Sequence, residues 1–593
     1  MNGYKITFAY SPTGQRTNMT DASGTTSYTY DSRDRLLTKT TPEGTLTYTY
    51  DGFGNQTTVQ SSTVSGVSVT YGYDALNRLT NAVDRFTNST IYGFDAVGNI
   101  QTAQLPNNVT NTYAYDSLNR LTNLVAKSTN GTVASFAYKL APAGNLTNLV
   151  ETVNGVSRTN VWAYDPLYRL TNETITATIG GTVSCKYDGV GNRTNRTSAV
   201  SVITNQTFVF NSNDQPTNDV FDANGNTRTN SGNTFAYDVE NHLTNAVVSG
   251  TNIVIVYDGD GNRVKKIVGT TTNLYLVDDR NPTGYPQVLE EKTISGGTTN
   301  LVRLYTYGLD LISQKDTATA FYGYDGNGNT RYLMATNAAV TDTYVYDAFG
   351  VVITNTGTTT NYYRYAGEQF DPNLGFVYLR SRYMNPNAGR FLSRDSFAGA
   401  NTDPKTLHRY LYVADNPINN IDPSGNSLIA ANVGSKLHKM IADDFTQGLE
   451  LIRFSGPSVA TLLGRYGINI SAVTALFPDL VDISTKEVYE IKPVGVGVAE
   501  GYAQLAGYLQ LFNYFDPAKN WKPGSIYSPP KEITIDPLNV AFVSPPERGV
   551  IIYKIFSVKQ FAKRRAVNVA VSNNADIEDS VGISTLTGLL GGI

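Results

Sequence analysis

The residues best suited to chemistry stand in three short pieces late in the chain: Phe477-Pro478-Asp479-Leu480-Val481-Asp482, Val488-Tyr489-Glu490-Ile491-Lys492 and Gln504-Leu505-Ala506-Gly507-Tyr508. Apolar and β-branched residues alternate with polar ones on either side of the turn former Ser484-Thr485-Lys486, which predicts a β-hairpin. That pairing would bring Asp479 and Glu490 together at one end. Two carboxylates held close repel one another, and the ordinary remedies are a raised pKa or a hard divalent cation with oxygen ligands, Mg²⁺ or Mn²⁺. The two-residue period of a strand sets Glu490 and Lys492 on one face. A metal with an ammonium beside it supplies what a water and a phosphate need for in-line phosphodiester hydrolysis. Asp482 is the rival carboxylate, three residues from Asp479 and so on the opposite face.

The elements that would position these groups are helical. Tyr502, Leu505, Leu509 and Phe512 recur at helical spacing, with Gln504 and Tyr508 one turn apart beside that stripe. Upstream, Gly434-Ser435-Lys436-Leu437-His438 opens a second amphipathic helix, with Leu437, Met440, Ile441 and Phe445 as its apolar positions. Taken in order, G-x-x-x-H, P-D, E-x-K and Q-x-x-x-Y resemble the PD-(D/E)xK nucleases, the RecB-like branch in particular. The resemblance spans about residues 427–571 and implies a small α/β restriction-endonuclease-like domain, a mixed sheet flanked by helices. It implies His438, Asp479 and Glu490 as metal ligands, Lys492 as the catalytic lysine beside Asp479 and Glu490, and Gln504 and Tyr508 as contacts to nucleic acid. Singly, a Pro-Asp marks a strand boundary and a Glu-x-Lys a solvated strand face. The order of the four carries the reading.

The whole chain has 593 residues, enough for two or more unequal units. Charged residues make up 16%, against about 25% in an average domain. Their place is taken by 40 Tyr, 52 Gly and abundant Thr and Asn, a composition of strands and turns. The net charge of −4 gives no global field that would attract nucleic acid. Cys185 is the single cysteine, which excludes an internal disulfide framework or a thiolate zinc site. Neither a signal peptide nor a run of about 18 apolar residues is visible, so a secreted or envelope-associated product would use another export route, or this chain lacks its natural N-terminus.

Residues 1–360 form a repeat array: Tyr50-Asp51-Gly52-Phe53-Gly54-Asn55, Tyr73-Asp74-Ala75-Leu76-Asn77-Arg78 and Tyr115-Asp116-Ser117-Leu118-Asn119-Arg120 are three of its units. The motif recurs roughly every twenty residues, enough for one hairpin, with Gly or Asn supplying the turn. So many aromatics with so few charges are expected to be mostly buried. The units resemble the YD repeats of the Rhs family, which implies an all-β shell of spiralling hairpins around a C-terminal cargo. Within the array, Asp258-Gly259-Asp260-Gly261-Asn262 shares its first ligand positions with a calcium loop but lacks the distal Glu.

From Tyr363 the pattern becomes denser, through Gly375-Phe376-Val377-Tyr378-Leu379-Arg380-Ser381-Arg382-Tyr383 and Gly389-Arg390-Phe391-Leu392-Ser393-Arg394-Asp395 to Asp422-Pro423-Ser424-Gly425. This block, residues 361–426, resembles the Rhs-associated core. Such cores resemble aspartyl autoproteases, which implies Asp395 with Asp403 or Asp422 as a carboxylate pair and Arg394 as the cation that keeps one ionised. The family has Leu after Asp-Pro-x-Gly, where this chain has Asn426.

The expected organisation is therefore a repeat array at 1–360, a self-cleaving core at 361–426, a nuclease-like domain at 427–571 and a tail at 572–593. The expected activity is that of an Rhs-type toxin, a metal-dependent nuclease delivered into a target cell. Its expected partners are nucleic acid, with DNA the leading substrate, a cognate immunity protein and secretion-system components, without a membrane span. The rival expectation is a surface or adhesive scaffold whose C-terminal domain is not catalytic.

Overall fold

The computed structural model describes residues 5–96, 98–118, 120–399 and 404–426 in full, and beyond these the backbone of the strands Ile429–Ala430, Leu451–Arg453, Leu480–Asp482, Glu487–Pro493, Lys522–Pro523, Glu532–Asp536, Asn539–Val543 and Val550–Ser557. The chain divides into two compact units, Met1–Asp95 with Asn99–Asn432, and Val433–Ile593 with Ala96–Gly98.

The first unit is built from strands that follow one another as an antiparallel meander. A 19-stranded sheet runs from Thr7–Tyr10 to Gln206–Thr207, and a 14-stranded sheet from Val220–Phe221 to Val352–Thr356. One local solution recurs at the turns. Asp51 folds its carboxylate over its own turn, where Oδ1 accepts from the backbone N–H groups of Phe53 and Asn55 at 2.9 Å and Oδ2 from Asn55 Nδ2 at 2.8 Å. Where Arg replaces that Asn, its guanidinium takes the second oxygen, as at Asp74–Arg78 (2.6 Å) and Asp165–Arg169 (2.7 Å). The third residue after the Asp is left-handed, with φ 95° at Gly54, 58° at Asn77 and 64° at Tyr168, a region Gly and Asn enter most cheaply.

The tyrosine has its own reason. Its hydroxyl donates to a backbone carbonyl of the preceding hairpin: Tyr50 to Leu36 at 2.8 Å, Tyr73 to Gln56 at 2.9 Å, Tyr187 to Leu170 at 2.6 Å. Phe could fill the space but not make this bond. The motif tyrosines Tyr30, Tyr50 and Tyr73 are therefore only half-buried at the sheet margin, while the aromatics two positions earlier, Tyr28, Tyr48 and Tyr71, lie in the core. Burial of the repeat aromatics thus falls mainly on these i−2 neighbours.

The meander breaks at 208–219. Asn211 still caps its turn, accepting from Asn213 and Gln215, but the flanking pairing shrinks to one bridge between Phe210 and Pro216, because proline has no N–H for a ladder. The second sheet then runs alongside the first in the same direction: residues 16, 39, 63 and 107 meet residues 260, 279, 290 and 335. Buried charges make several of these contacts, including Lys39–Asp279 at 3.1 Å and Arg331–Glu151 at 2.6 Å, and each is paired, as burial in low dielectric requires.

The core segment adds a 4-stranded sheet, Gln369–Asp371, Phe376–Leu379, Arg382–Asn385 and Arg390–Phe391. It is fastened to both large sheets. Asp371 binds Lys266 at 2.9 Å and Arg263 at 3.0 Å, Arg196 donates to the Asn387 carbonyl at 3.0 Å, and Tyr410 donates to the Gly225 carbonyl at 2.8 Å.

In the second unit the described strands form a mixed sheet in the order Leu451–Arg453, Leu480–Asp482, Glu487–Pro493, Val550–Ser557, Asn539–Val543, Glu532–Asp536, with Lys522–Pro523 also on Glu487–Pro493. Glu487–Pro493 runs parallel to Val550–Ser557 and antiparallel to Leu480–Asp482.

Candidate functional site

The end of the core brings charged groups and one backbone segment together. Leu379 and Arg382 face each other across a two-residue hairpin turn, Arg380-Ser381, with Arg380 in the left-handed region at φ 59°. A non-glycine residue holds that conformation at a cost of about 1–3 kcal/mol, so the surrounding contacts must impose it. Those contacts are with residues 423–425. Arg380 Nη1 donates to the Pro423 carbonyl, Ser381 N to the Ser424 carbonyl at 3.2 Å, and Arg382 Nε to the Gly425 carbonyl. Three consecutive residues thus grip three consecutive carbonyls.

Arg382 is the centre of the group. It is 6% exposed, its Nη2 lies 2.6 Å from Asp395 and 3.7 Å from Asp422, and its guanidinium sits 3.6 Å from the Phe391 ring centroid. Burial pulls its pKa down, against the pull of the two carboxylates. Burial also raises the Asp395 carboxyl, opposed by Arg382 and Arg409. Asp422 Oδ1 accepts from Gly425 N at 2.9 Å and from Ser424 Oγ at 3.1 Å, and Ser424 Oγ accepts from Asn426 N at 3.1 Å. Asn426 Nδ2 donates to Ser381 Oγ at 2.7 Å.

Asp395 and Asp422, one of the two combinations expected, therefore share one cation. That cation corrects the expectation for Arg394, which is exposed; the ion pair of Asp395 is with Arg382. Sequence reasoning missed Arg382 because it lies thirteen positions before Asp395, on the strand Arg382–Asn385, and its signal, a second Arg after Leu379-Arg380-Ser381, reads as an ordinary strand end. Asp403 lies outside the described residues.

The other histidines and the calcium-like loop have structural roles. His408 is buried, its Nε2 2.7 Å from Asn192 Oδ1, and burial lowers its pKa to about 4. His242 stacks on Tyr257 and bonds Asp238 at 3.2 Å. Asp258 caps its turn through Asn262, and Asp260 is bound by Arg16 at 2.7 Å.

Of the late chemical residues, His438, Asp479, Gln504 and Tyr508 lie outside the described residues. Leu480–Asp482 pairs with Glu487–Pro493 in the register Leu480↔Tyr489, Val481↔Val488, Asp482↔Glu487, the predicted hairpin. Glu490 and Lys492 continue that central strand opposite Val550 and Ile552. Among the described residues no group of three His, Cys, Asp or Glu side chains could hold a metal ion, and no helix is long and apolar enough to cross a membrane.

The family models that match this chain do so within the first unit. Residues 10–46, 30–63 and 50–89 match the RHS repeat model. The chain is 31% identical over 256 residues to the tRNA nuclease WapA of Bacillus subtilis strain 168 and, over the same length, to the tRNA3(Ser)-specific nuclease WapA of Bacillus spizizenii. Each match covers 40% of this chain and 11% of the relative, so the chain spans about a tenth of the length of these curated relatives. The crystal structure of TcdB2-TccC3 superposes with a TM-score of 0.60 at 18% identity, covering 71% of this chain and 26% of that one. The Tc holotoxin pore of Photorhabdus luminescens gives 0.51 at 17%, covering 73% and 27%. These likenesses establish a shared fold. Residues 106–418, more than half of the chain, match the teneurin YD-shell model, and the protein belongs to the YD-shell family.

Proposed function

We propose that this chain is a toxin of the Rhs type whose YD-repeat unit encloses and delivers a C-terminal nuclease, and which cuts itself beside Gly425 to free that cargo. The observation that carries the cut is that Arg382, whose Nε donates to the Gly425 carbonyl, also lies 2.6 Å from Asp395 and 3.7 Å from Asp422. A carboxylate pair beside a gripped, polarised peptide is the arrangement of acid and base that hydrolysis needs. The residues gripped stand in the hairpin loop between the paired strands Asn420–Ile421 and Ile429–Ala430, where a peptide is free of the ladder.

Nuclease activity is supported by the tRNA nucleases among the relatives and by the central strand that carries Glu490 and Lys492. In this reading His438, Asp479 and Glu490 hold Mg²⁺ or Mn²⁺, Lys492 steadies the charge that develops on the phosphate, and Gln504 and Tyr508 contact nucleic acid. The metal, when bound, activates water and neutralises phosphate oxygens. The relatives' names favour tRNA over DNA as the first substrate to assay. A neutralising partner protein and an export apparatus complete the reading.

The test is the purified full chain, assayed on tRNA, other RNA and DNA with Mg²⁺, Mn²⁺ or a chelator. Metal-dependent cleavage that Glu490→Gln and Lys492→Ala abolish is expected. Inertness on every nucleic acid would leave a shell without nuclease cargo.

A further inference from the structure

We infer that the cleft at the break in the meander, around residues 208–219, is a binding site for a neutral di- or trisaccharide. The cleft holds about 630 Å³, inside the range of about 300–1,000 Å³ typical of small-molecule sites. It is walled by the end of the first sheet at 204–208, the opening of the second at 219–233, and the core segment between 374 and 392. The break creates it. Among the described residues Gln206–Thr207 pairs with Arg193–Ser198 alone and Val220–Phe221 with Thr227–Asn230 alone, so neither large sheet continues across the gap.

The wall sorts ligands first by charge. Among the described residues it carries two charged side chains, Asp219 and Arg390, and both are engaged. Asp219 accepts from Asn230 Nδ2 with both oxygens, at 3.0 and 3.1 Å, and Arg390 donates to the Asp214 carbonyl and lies 4.8 Å from the Tyr410 ring centroid. A phosphate or carboxylate would find no uncommitted cation there. The other polar groups of the wall are amides and hydroxyls. Asn205 and Asn233 each spend their carboxamide oxygen on a backbone N–H, of Ser198 at 2.7 Å and of Ser249 at 3.2 Å, which leaves both NH₂ groups as donors held in place. Phe208 and Phe221 add half-buried rings, backed by Phe210 and Tyr410 with centroids 6.1 Å away in each case. A pyranose matches this combination, because its hydroxyl edge both donates and accepts while its C–H face is apolar and packs on the negative face of an aromatic ring.

One side of the cleft is also held rigid. Arg193 and the fully buried Arg196 both donate to the Asn387 carbonyl, at 2.6 and 3.0 Å, and Asn385 Oδ1 accepts from Asn387 N at 3.0 Å. Arg196 stands 3.9 Å from the Asp347 carboxylate, and burial pulls its pKa down to about 10. Burying two guanidiniums against one carbonyl opposes stability in a low dielectric. What they fix is the turn at 385–390 that lines the cleft, so a ligand meets that wall without having to order it.

The experiment screens the full chain against an array of neutral glycans, with pyrophosphate and the peptide Thr-Val-Thr-Val-Thr as competing probes, and titrates the best-retained glycan by calorimetry. Saturable binding with a Kd of about 1 mM or tighter is expected. Asn205→Asp and Asn233→Asp keep the oxygen that the backbone uses and replace the donor by a carboxylate. Each is expected to weaken glycan binding about 10-fold while the melting temperature stays within a few degrees of wild type. Phe221→Ala is expected to weaken it at least about 10-fold. A chain that binds no neutral glycan overturns the inference, as does one that binds pyrophosphate or the peptide in a glycan's place. A glycan bound equally well by wild type and by folded Asn205→Asp and Asn233→Asp sits elsewhere on the molecule and overturns it too; if Phe221→Ala does not fold, the two aspartate variants decide alone.

Discussion

Tyr346 donates its hydroxyl hydrogen to the backbone carbonyl of Thr330 at 3.0 Å, sixteen residues earlier, from a side chain that is 8% exposed. The bond ties one hairpin to the next in a buried setting. Tyr346→Phe is expected to destabilise the first unit by about 1–3 kcal/mol, the cost of stranding a buried acceptor. Tyr50→Phe, at a half-buried copy of the same bond, is expected to cost less. Denaturant midpoints of the two variants against wild type check both.

Gly425→Ala probes the boundary without touching a charge. The new methyl would overlap the Leu379 carbonyl and force a left-handed alanine, so residues 423–425 must leave their donors. Loss of self-cleavage is expected, with the melting temperature of the first unit changed by no more than a few degrees. Intact mass and thermal denaturation measure the two parts separately.

Burial raises Glu173 and Asp415 each to about 8, far above their ordinary values. A carboxyl raised on folding contributes stability that is complete below its unfolded pKa and is lost as pH rises through the folded one. Between about pH 4.5 and 8 each group should therefore weaken the fold, by at most about 1.4 kcal/mol per pH unit. His408, lowered to about 4, acts oppositely, since its stabilisation is lost as pH falls below its unfolded value. The first unit should melt higher at pH 6 than at pH 8, and Asp415→Asn should shrink that difference. An unchanged difference in Asp415→Asn would show that Asp415 is ionised in the fold.

Asp482 pairs with Glu487, on the side of the strand pair away from Glu490, whereas Asp479 directly precedes Leu480, the partner of Tyr489. Nuclease activity is accordingly expected to survive Asp482→Asn nearly unchanged and to fall at least about 100-fold in Asp479→Asn. The reverse pattern would make Asp482 the metal ligand. Rates on the same nucleic acid at saturating Mg²⁺ distinguish the two.

What the sequence by itself determined is whatever closes within a few residues. Asp51 with Asn55, Asp74 with Arg78, and the left-handed residue between them are bonds over four positions, so the repeat, its turn chemistry and the all-β character of the array are legible as spacing. The hairpin of Leu480–Asp482 with Glu487–Pro493 is legible for the same reason, its alternation running up to a short turn. The resemblance of the core offered Asp395 with Asp403 or Asp422 as candidates. That Asp395 and Asp422 share Arg382 could not be read from it, because Arg394 is adjacent in sequence and Arg382 is not. Only the tertiary structure decided that, by folding the Arg380-Ser381 turn onto residues 423–425 and turning Arg394 outward. It also decided where the meander breaks and which charges meet across the two sheets, as Arg16 meets Asp260 over 244 residues. Such contacts depend on how two faces pack, and a buried charge is stable only where packing delivers its partner, a condition that no local spacing records.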